Sequence, residues 1–287
     1  MRSRTMSSPF DLASSAGVVM GLTPELLATV GGPSSLLWLV NICQPWCGFC
    51  QALQPRWAQL AKQLRHEVMV GTWDAQAHPK LPPLLGEATN ATPTIRAILP
   101  AGRTSHHPRL VNYGGGRDLA DLVSFAAAVM PSYVAVVDGT EAWEQAANNA
   151  AAWRLPRLLC FVRRSATAST PPLLKALSST LQAHAVVVEV RLHASTPGTV
   201  ALAKRFGVRI TPTVIWLRTS ARDELAPVWH NGPPTFRRVR AFAEEMLGSG
   251  GLATPVQGSD DDGSLDSEAH AMSADPIPSA PSPRDEL

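Results

Sequence analysis

The sequence predicts an α/β chain in which one domain type is used twice, followed by a disordered acidic tail. Three observations predict it. Strand-length apolar runs alternate with segments of helical period, Ala91-Thr92-Pro93-Thr94-Ile95 is echoed by Ile210-Thr211-Pro212-Thr213-Val214, and beyond Gly248 the composition turns to Gly, Ser, Pro and Asp. With 287 residues, 45% of them hydrophobic, the chain can bury two cores of ordinary size. Net charge is +2 at pH 7, but Lys and Arg are spread along the chain, so no nucleic-acid partner is implied. No stretch reaches the roughly 18 consecutive apolar residues of a membrane span. A soluble chain is therefore expected, and the polar, patternless opening of residues 1–10 shows no secretory signal segment.

Residues 1–15 are read as a flexible N-terminus, 16–131 as the first domain, 132–247 as the second and 248–287 as the tail. Residues 18–20 form a short strand, and residues 36–42 (LLWLVNI), apolar but for Asn41, form a central strand buried on both faces. From 47 to 65 the period changes. Phe49, Leu53, Trp57, Leu60, Ala61 and Leu64 recur mostly at helical steps, and Pro55 should kink the helix they describe. Strands follow at 68–73, 95–99 and 110–113, with a closing helix over 118–129. Pro131 marks a boundary, after which strands at 133–137, 157–162, 186–190, 214–217 and 228–230 alternate with helices near Ala142, Leu173, Val200 and Arg237. The tail, with Asp260-Asp261-Asp262 near its centre, holds too few large apolar residues to offset the entropy of ordering.

Four cysteines are present, Cys43, Cys47, Cys50 and Cys160, too few for the framework of a disulfide-stapled secreted protein. Cys47 falls where a buried strand ends and a helix begins, so its sulfur should lie near the unpaired N–H groups of the first turn, which favour thiolate over thiol. Cys50, one turn further in, should close a short ring with Cys47. Cys47 then attacks a substrate disulfide and Cys50 resolves the mixed disulfide. Two other readings stay open. Half a zinc site lacks a second Cys pair or a His pair at metal spacing, since His106 and His107 are adjacent. A redox-dead relic would still have to explain why both exchange sulfurs remain. Pro93 opens a strand that reads as central, a poor fit unless the Thr92–Pro93 bond is cis, which would expose the Thr92 backbone to an extended substrate segment.

Over residues 18–130 these features resemble a catalytic thioredoxin domain of the protein disulfide isomerase family. The resemblance rests on Leu22-Thr23-Pro24, the strand at 36–42, Pro45-Trp46-Cys47-Gly48-Phe49-Cys50, Leu53, Pro55, Trp57, Thr92-Pro93-Thr94-Ile95 and Tyr113-Gly114-Gly115-Gly116-Arg117. It implies two tandem thioredoxin-like domains, the second redox-inactive. It makes Cys47 the nucleophile, Cys50 the resolving thiol, Pro93 the cis-proline and Arg117 a cation that swings in to lower the Cys50 pKa. Trp46, Gly48, Phe49 and Thr92 become motif and substrate-binding positions. Arg284-Asp285-Glu286-Leu287 resembles the retrieval signal of endoplasmic-reticulum residents, which conflicts with the missing signal peptide unless the start is incomplete.

Three positions depart from the family pattern. Phe49 replaces a His that would stabilise the Cys47 thiolate, making the disulfide less oxidising. Asn41 replaces a buried Glu that takes a proton from Cys50, slowing turnover. Cys43 replaces an aromatic and reads, like Cys160, as a small buried apolar residue rather than a third redox partner. The expected function is therefore a thiol–disulfide oxidoreductase or isomerase of the endoplasmic-reticulum lumen, with weakened oxidase turnover. It needs no metal or cofactor, and its partners are unfolded or disulfide-containing client proteins and resident chaperones. The alternative is a client-binding chaperone or co-chaperone component whose cysteines capture only occasionally.

Overall fold

Seven successive buried residues, Leu37–Cys43, form strand β2, which places the motif at the end of the best-protected strand of its sheet. The computed structural model describes residues 18–248 apart from residues 90, 103–104, 194–195 and 219–226, together with residues 275–276. The expected flexible N-terminus, the acidic run at 260–262 and the closing tetrapeptide lie outside the described residues, as does all of the tail except Gly248 and residues 275–276.

In chain order the first half comprises β1 (Met20–Leu22), α1 (Pro24–Leu27), β2, α2 (Gly48–Gln63), β3 (Val68–Asp74), a 3-10 turn (Pro83–Leu85), β4 (Thr94–Leu99), β5 (Arg109–Tyr113) and α3 (Leu119–Val129). Its sheet has the order β1-β3-β2-β4-β5, with β1, β3 and β2 parallel and β4 and β5 each antiparallel to its neighbour. Leu37 and Leu39 of β2, Val68 and Val70 of β3, and Ile95 and Ala97 of β4 share a core with Leu53, Trp57 and Leu60 of α2 and with Leu122 and Ala126 of α3. These helical positions sit three or four residues apart because each must return to the same sheet face. The helix continues through Pro55, which can donate no hydrogen bond to the preceding turn.

The second half holds β6 (Ala135–Val137), α4 (Thr140–Trp153), β7 (Arg157–Val162), α5 (Pro172–Leu181), β8 (Val186–Arg191), α6 (Pro197–Arg205), β9 (Ile210–Thr211), β10 (Thr213–Leu217), β11 (Val228–Trp229) and α7 (Phe236–Gly248), with Asp275–Pro276 pairing to β9. Its main sheet runs β6-β8-β7-β10-β11, the same permutation of parallel and antiparallel neighbours as in the first half. Thr92–Pro93 precedes β4 and Thr211–Pro212 precedes β10, and both bonds are cis. The chain is thus two thioredoxin-like sheets in tandem, as the echoed pentapeptides predict.

Two compact units result. The first takes the described residues up to Tyr133 together with Pro171–Ala183, and the second takes Val134–Thr170 and the chain from His184 onward. Helix α5 therefore packs with the first unit, where Lys175 Nζ donates to the Ala127 carbonyl at 3.1 Å and Gln182 Nε2 to the Ala101 carbonyl at 2.8 Å. In the second unit Glu189 is fully buried, accepting hydrogen bonds from Arg191 Nε at 3.0 Å and Thr170 Oγ1 at 2.8 Å, so its charge is compensated.

Element edges differ from expectation by a residue or two, as at β1, expected over 18–20 and found at Met20–Leu22. The short helix α1 was not expected, though Thr23 caps it through Oγ1, accepting from Leu26 N at 3.3 Å, with Pro24 in its first turn. Mid-strand Gly71 admits Leu22, since a Cβ there would stand 2.9 Å from the Leu22 side chain. Gly71→Ala should therefore lower unfolding free energy by about 1–3 kcal/mol through overpacking. Gly21→Ala, whose added carbon meets nothing within 4 Å, should stay within about 0.5 kcal/mol of the parent in denaturant titrations.

Candidate active site: three cysteines at a strand-to-helix junction

Strand β2 ends at Cys43, a tight turn follows in which Cys47 N donates to the Gln44 carbonyl at 3.1 Å, and α2 begins at Gly48. Cys47 is the N-cap, with extended dihedrals of −73° and 114°, and its carbonyl accepts from Gln51 N at 3.0 Å. Its own sulfur makes no capping bond, which leaves it free for other partners. Gln51 Nε2 donates back to the Pro45 carbonyl at 2.8 Å and ties the helix to the turn.

Around the sulfurs the surface is uneven. Trp46 and Phe49 are 68% and 79% exposed, whereas Cys47 is 7% exposed and Cys50 3%. The free Cys47 Sγ donates to the Thr92 carbonyl at 3.5 Å, so the turn before β4 stands against the motif. Hydrogen bonding from the Thr92 side chain, and then from the Cys50 and Phe49 backbone, holds the Cys47 pKa below the ordinary thiol value against a smaller opposing effect of burial. Arg117 Nη1 donates to the Gly115 carbonyl at 2.7 Å and Nη2 to the Pro93 carbonyl at 3.4 Å, with the guanidinium 5.6 Å from the Tyr113 ring centre. The cation thus lies against the Pro93 turn.

The disulfide is not where the spacing puts it. Cys43 is bonded to Cys50, with Cα atoms 5.9 Å apart, and Cys47 is a free thiol. The expected ring between Cys47 and Cys50 is thus not the one present, and Cys43, expected as a small buried apolar residue, takes part in the bond instead. Cys43 is indeed buried, at 7% exposure, but it shares a cluster with Cys47 and Cys50. The physical reason lies in the turn, which folds the first turn of α2 back over the end of β2 and leaves the capping residue facing Thr92. A signal was available in the third cysteine, four positions before the motif, but its reach to Cys50 follows only once the turn is built.

Asn41, 2% exposed, lies two residues before Cys43 on the same strand face, and its Oδ1 is 3.2 Å from Cys43 Sγ. A cavity of about 430 Å³ opens beside this pair, lined by Asn41, Cys43, Cys50, Trp57, Thr72 and Asp74 among others. Cys160, the remaining cysteine, is 1% exposed on β7, and burial followed by the nearby Glu189 pushes its pKa up to about 12. A thiol so held stays protonated and covered at neutral pH. Among the described residues no group of three or more His, Cys, Asp or Glu side chains could hold a metal, and no helix is long and apolar enough to cross a membrane.

Residues 28–128 match the Thioredoxin family. The chain is 39% identical over 90 residues to the protein disulfide-isomerase A6 homolog of Drosophila melanogaster, covering 31% of this chain and 20% of that protein. It is 35% identical over 123 residues to human protein disulfide-isomerase A6, covering 43% and 26% of the two chains. Against DnaJ homolog subfamily C member 10 of Xenopus laevis it is 31% identical over 115 residues, covering 39% and 14%. The chain thus spans about a fifth of the length of the first of these relatives. A cysteine of lowered pKa capping a helix, a second cysteine one turn in and a Thr-Pro turn against the first are the groups that thiol–disulfide exchange requires, in a stretch, residues 28–128, that matches the Thioredoxin family, and the chain is similar to part of the protein disulfide-isomerase A6 proteins.

Proposed function

We propose that the chain is a thiol–disulfide oxidoreductase and isomerase acting on the disulfides of client proteins as they fold in the endoplasmic reticulum. The observation that carries this reading is the Cys47 sulfur, free, held at the N-terminus of α2 and in contact with the Thr92 carbonyl. The Cys47 thiolate attacks one sulfur of a client disulfide, the other client sulfur leaves as thiolate, and a reduced Cys50 displaces the client from the mixed disulfide. Trp46 and Phe49, both exposed, border the point of attack and offer apolar contact to an unfolded segment.

The catalytic part is residues 16–131 and the non-catalytic part residues 132–247, with the acidic segment 248–287 ending in a retrieval tetrapeptide. The second unit contributes binding surface, since Cys160 is silent while Ile210 and Trp229 stand 62% and 46% exposed. A DnaJ homolog among the relatives supports chaperones of the same compartment as further partners, beside the clients themselves. Oxidase turnover is weak. Phe49 carries no charge to stabilise the thiolate, and the buried amide of Asn41 cannot accept a proton from Cys50. Arg117, held at the Pro93 carbonyl, is the cation that swings toward Cys50 as it ionises.

Cys50→Ala should accumulate mixed disulfides with a reduced-and-scrambled client on non-reducing gels, and Cys47→Ser should abolish them. Client capture that is indifferent to Cys47 would point to a purely binding protein. Thr92→Val removes the first cause of the lowered Cys47 pKa, so its titration should move upward. Less thiolate is then present at neutral pH, so alkylation of Cys47 should slow there and converge with the parent rate at high pH. Phe49→His should raise the reduction potential, and Asn41→Glu should speed refolding turnover toward the roughly 100-fold that a placed proton acceptor contributes. Unchanged rates in both variants would remove the account of weak turnover.

A further inference from the structure

Three sulfurs share one buried cluster, and the bond joins the two that the motif does not pair. A disulfide within reach of a third thiolate can migrate without any external oxidant or reductant. We propose that Cys43 is a third redox cysteine and that one disulfide alternates between Cys43–Cys50 and Cys47–Cys50, an inference that rests on the exchange chemistry assigned to Cys47. In the forward step the Cys47 thiolate attacks Cys50 Sγ, the Cys47–Cys50 bond forms, the Cys43–Cys50 bond breaks, and Cys43 leaves as thiolate. The proton lost by Cys47 is matched by one gained at Cys43, and no net electrons enter or leave.

Two features of the site suit it to this step. Asn41 can serve both states of Cys43. Its Oδ1, 3.2 Å from Cys43 Sγ, accepts from the thiol, and the same amide turned over presents Nδ2–H to the departing thiolate. A carboxylate in that place would repel the thiolate. The cavity of about 430 Å³ gives the released Cys43 side chain room to turn, since Cys43 and Cys50 line it and, among the described residues, Cys47 does not. The bond's position then selects the reaction. With Cys43–Cys50 closed, Cys47 captures client disulfides and the mixed species persists, because Cys50 is occupied. With Cys47–Cys50 closed, the domain can pass its disulfide to a client dithiol.

The test maps disulfides in the full chain, equilibrated in glutathione buffers, quenched with acid and alkylated. Chymotryptic cleavage after Trp46 and Phe49 separates the three cysteines into distinct peptides. Cys43–Cys50 and Cys47–Cys50 should both appear in the parent protein, their populations within about tenfold of one another. Cys47→Ser should hold only the first and Cys43→Ala only the second. Cys43 alkylated as a free thiol in every buffer that oxidises Cys50 would overturn the proposal, and that measurement needs no substitution. Turnover of insulin disulfides by the parent protein tests the underlying activity separately. Turnover with Cys43 always free sinks the shuttle alone, whereas both bonds mapped without turnover would uphold the shuttle and sink the oxidoreductase reading.

Discussion

The site depends on a strand that cannot move. β2 is buried along its whole length and paired on both sides, by β3 in parallel and β4 antiparallel, so the backbone reaching Cys43 is fixed by hydrogen bonds in two directions. The turn at 44–47 must then reverse into α2 within four residues, and α2 is anchored through Leu53, Trp57 and Leu60 to the same sheet. Between two rigid elements the capping position has little freedom. Cys47 is set against Thr92 and the first-turn amides because nothing else about the junction can vary.

The two copies set their sulfurs in different surroundings. The registers that flank the cis Thr-Pro turns align Asn41 of β2 with Cys160 of β7, each lying opposite the second residue after its proline. In the first unit the neighbouring position on the adjacent strand is Thr72, and a cavity lies beside it. In the second it is Glu189, whose charge is answered by Arg191 and Thr170 in a closed network. The same architecture holds an open, largely apolar, sulfur-lined space in one copy and sets a buried, compensated carboxylate at the matching position in the other. Desolvation and the carboxylate together leave Cys160 protonated across the physiological range.

Much of this was legible in the residues. β2 and α2 announce themselves by a run of apolar side chains followed by a change of period, and the paired Thr-Pro segments reveal the duplication. What escaped was contact between elements. The pairing of Cys43 with Cys50 spans seven residues of sequence but depends on a reversal whose geometry no spacing rule encodes. The period of α5 marks it as helical without saying that it packs with the first unit, because amphipathicity identifies an apolar face and not the surface that will cover it. The brief helix after Thr23 was missed because four residues are too few to display a period.

The contrast between a nearly hidden sulfur and the two bare rings beside it sets a steric filter. On the proposed exchange chemistry, a disulfide sealed inside a finished globule would not reach a sulfur so nearly covered. A crosslink carried on a loose, protruding stretch of chain would. Under the proposed function, such burial would sort partners by mechanical compliance rather than by any residue they share, telling the half-made from the complete without reading a sequence.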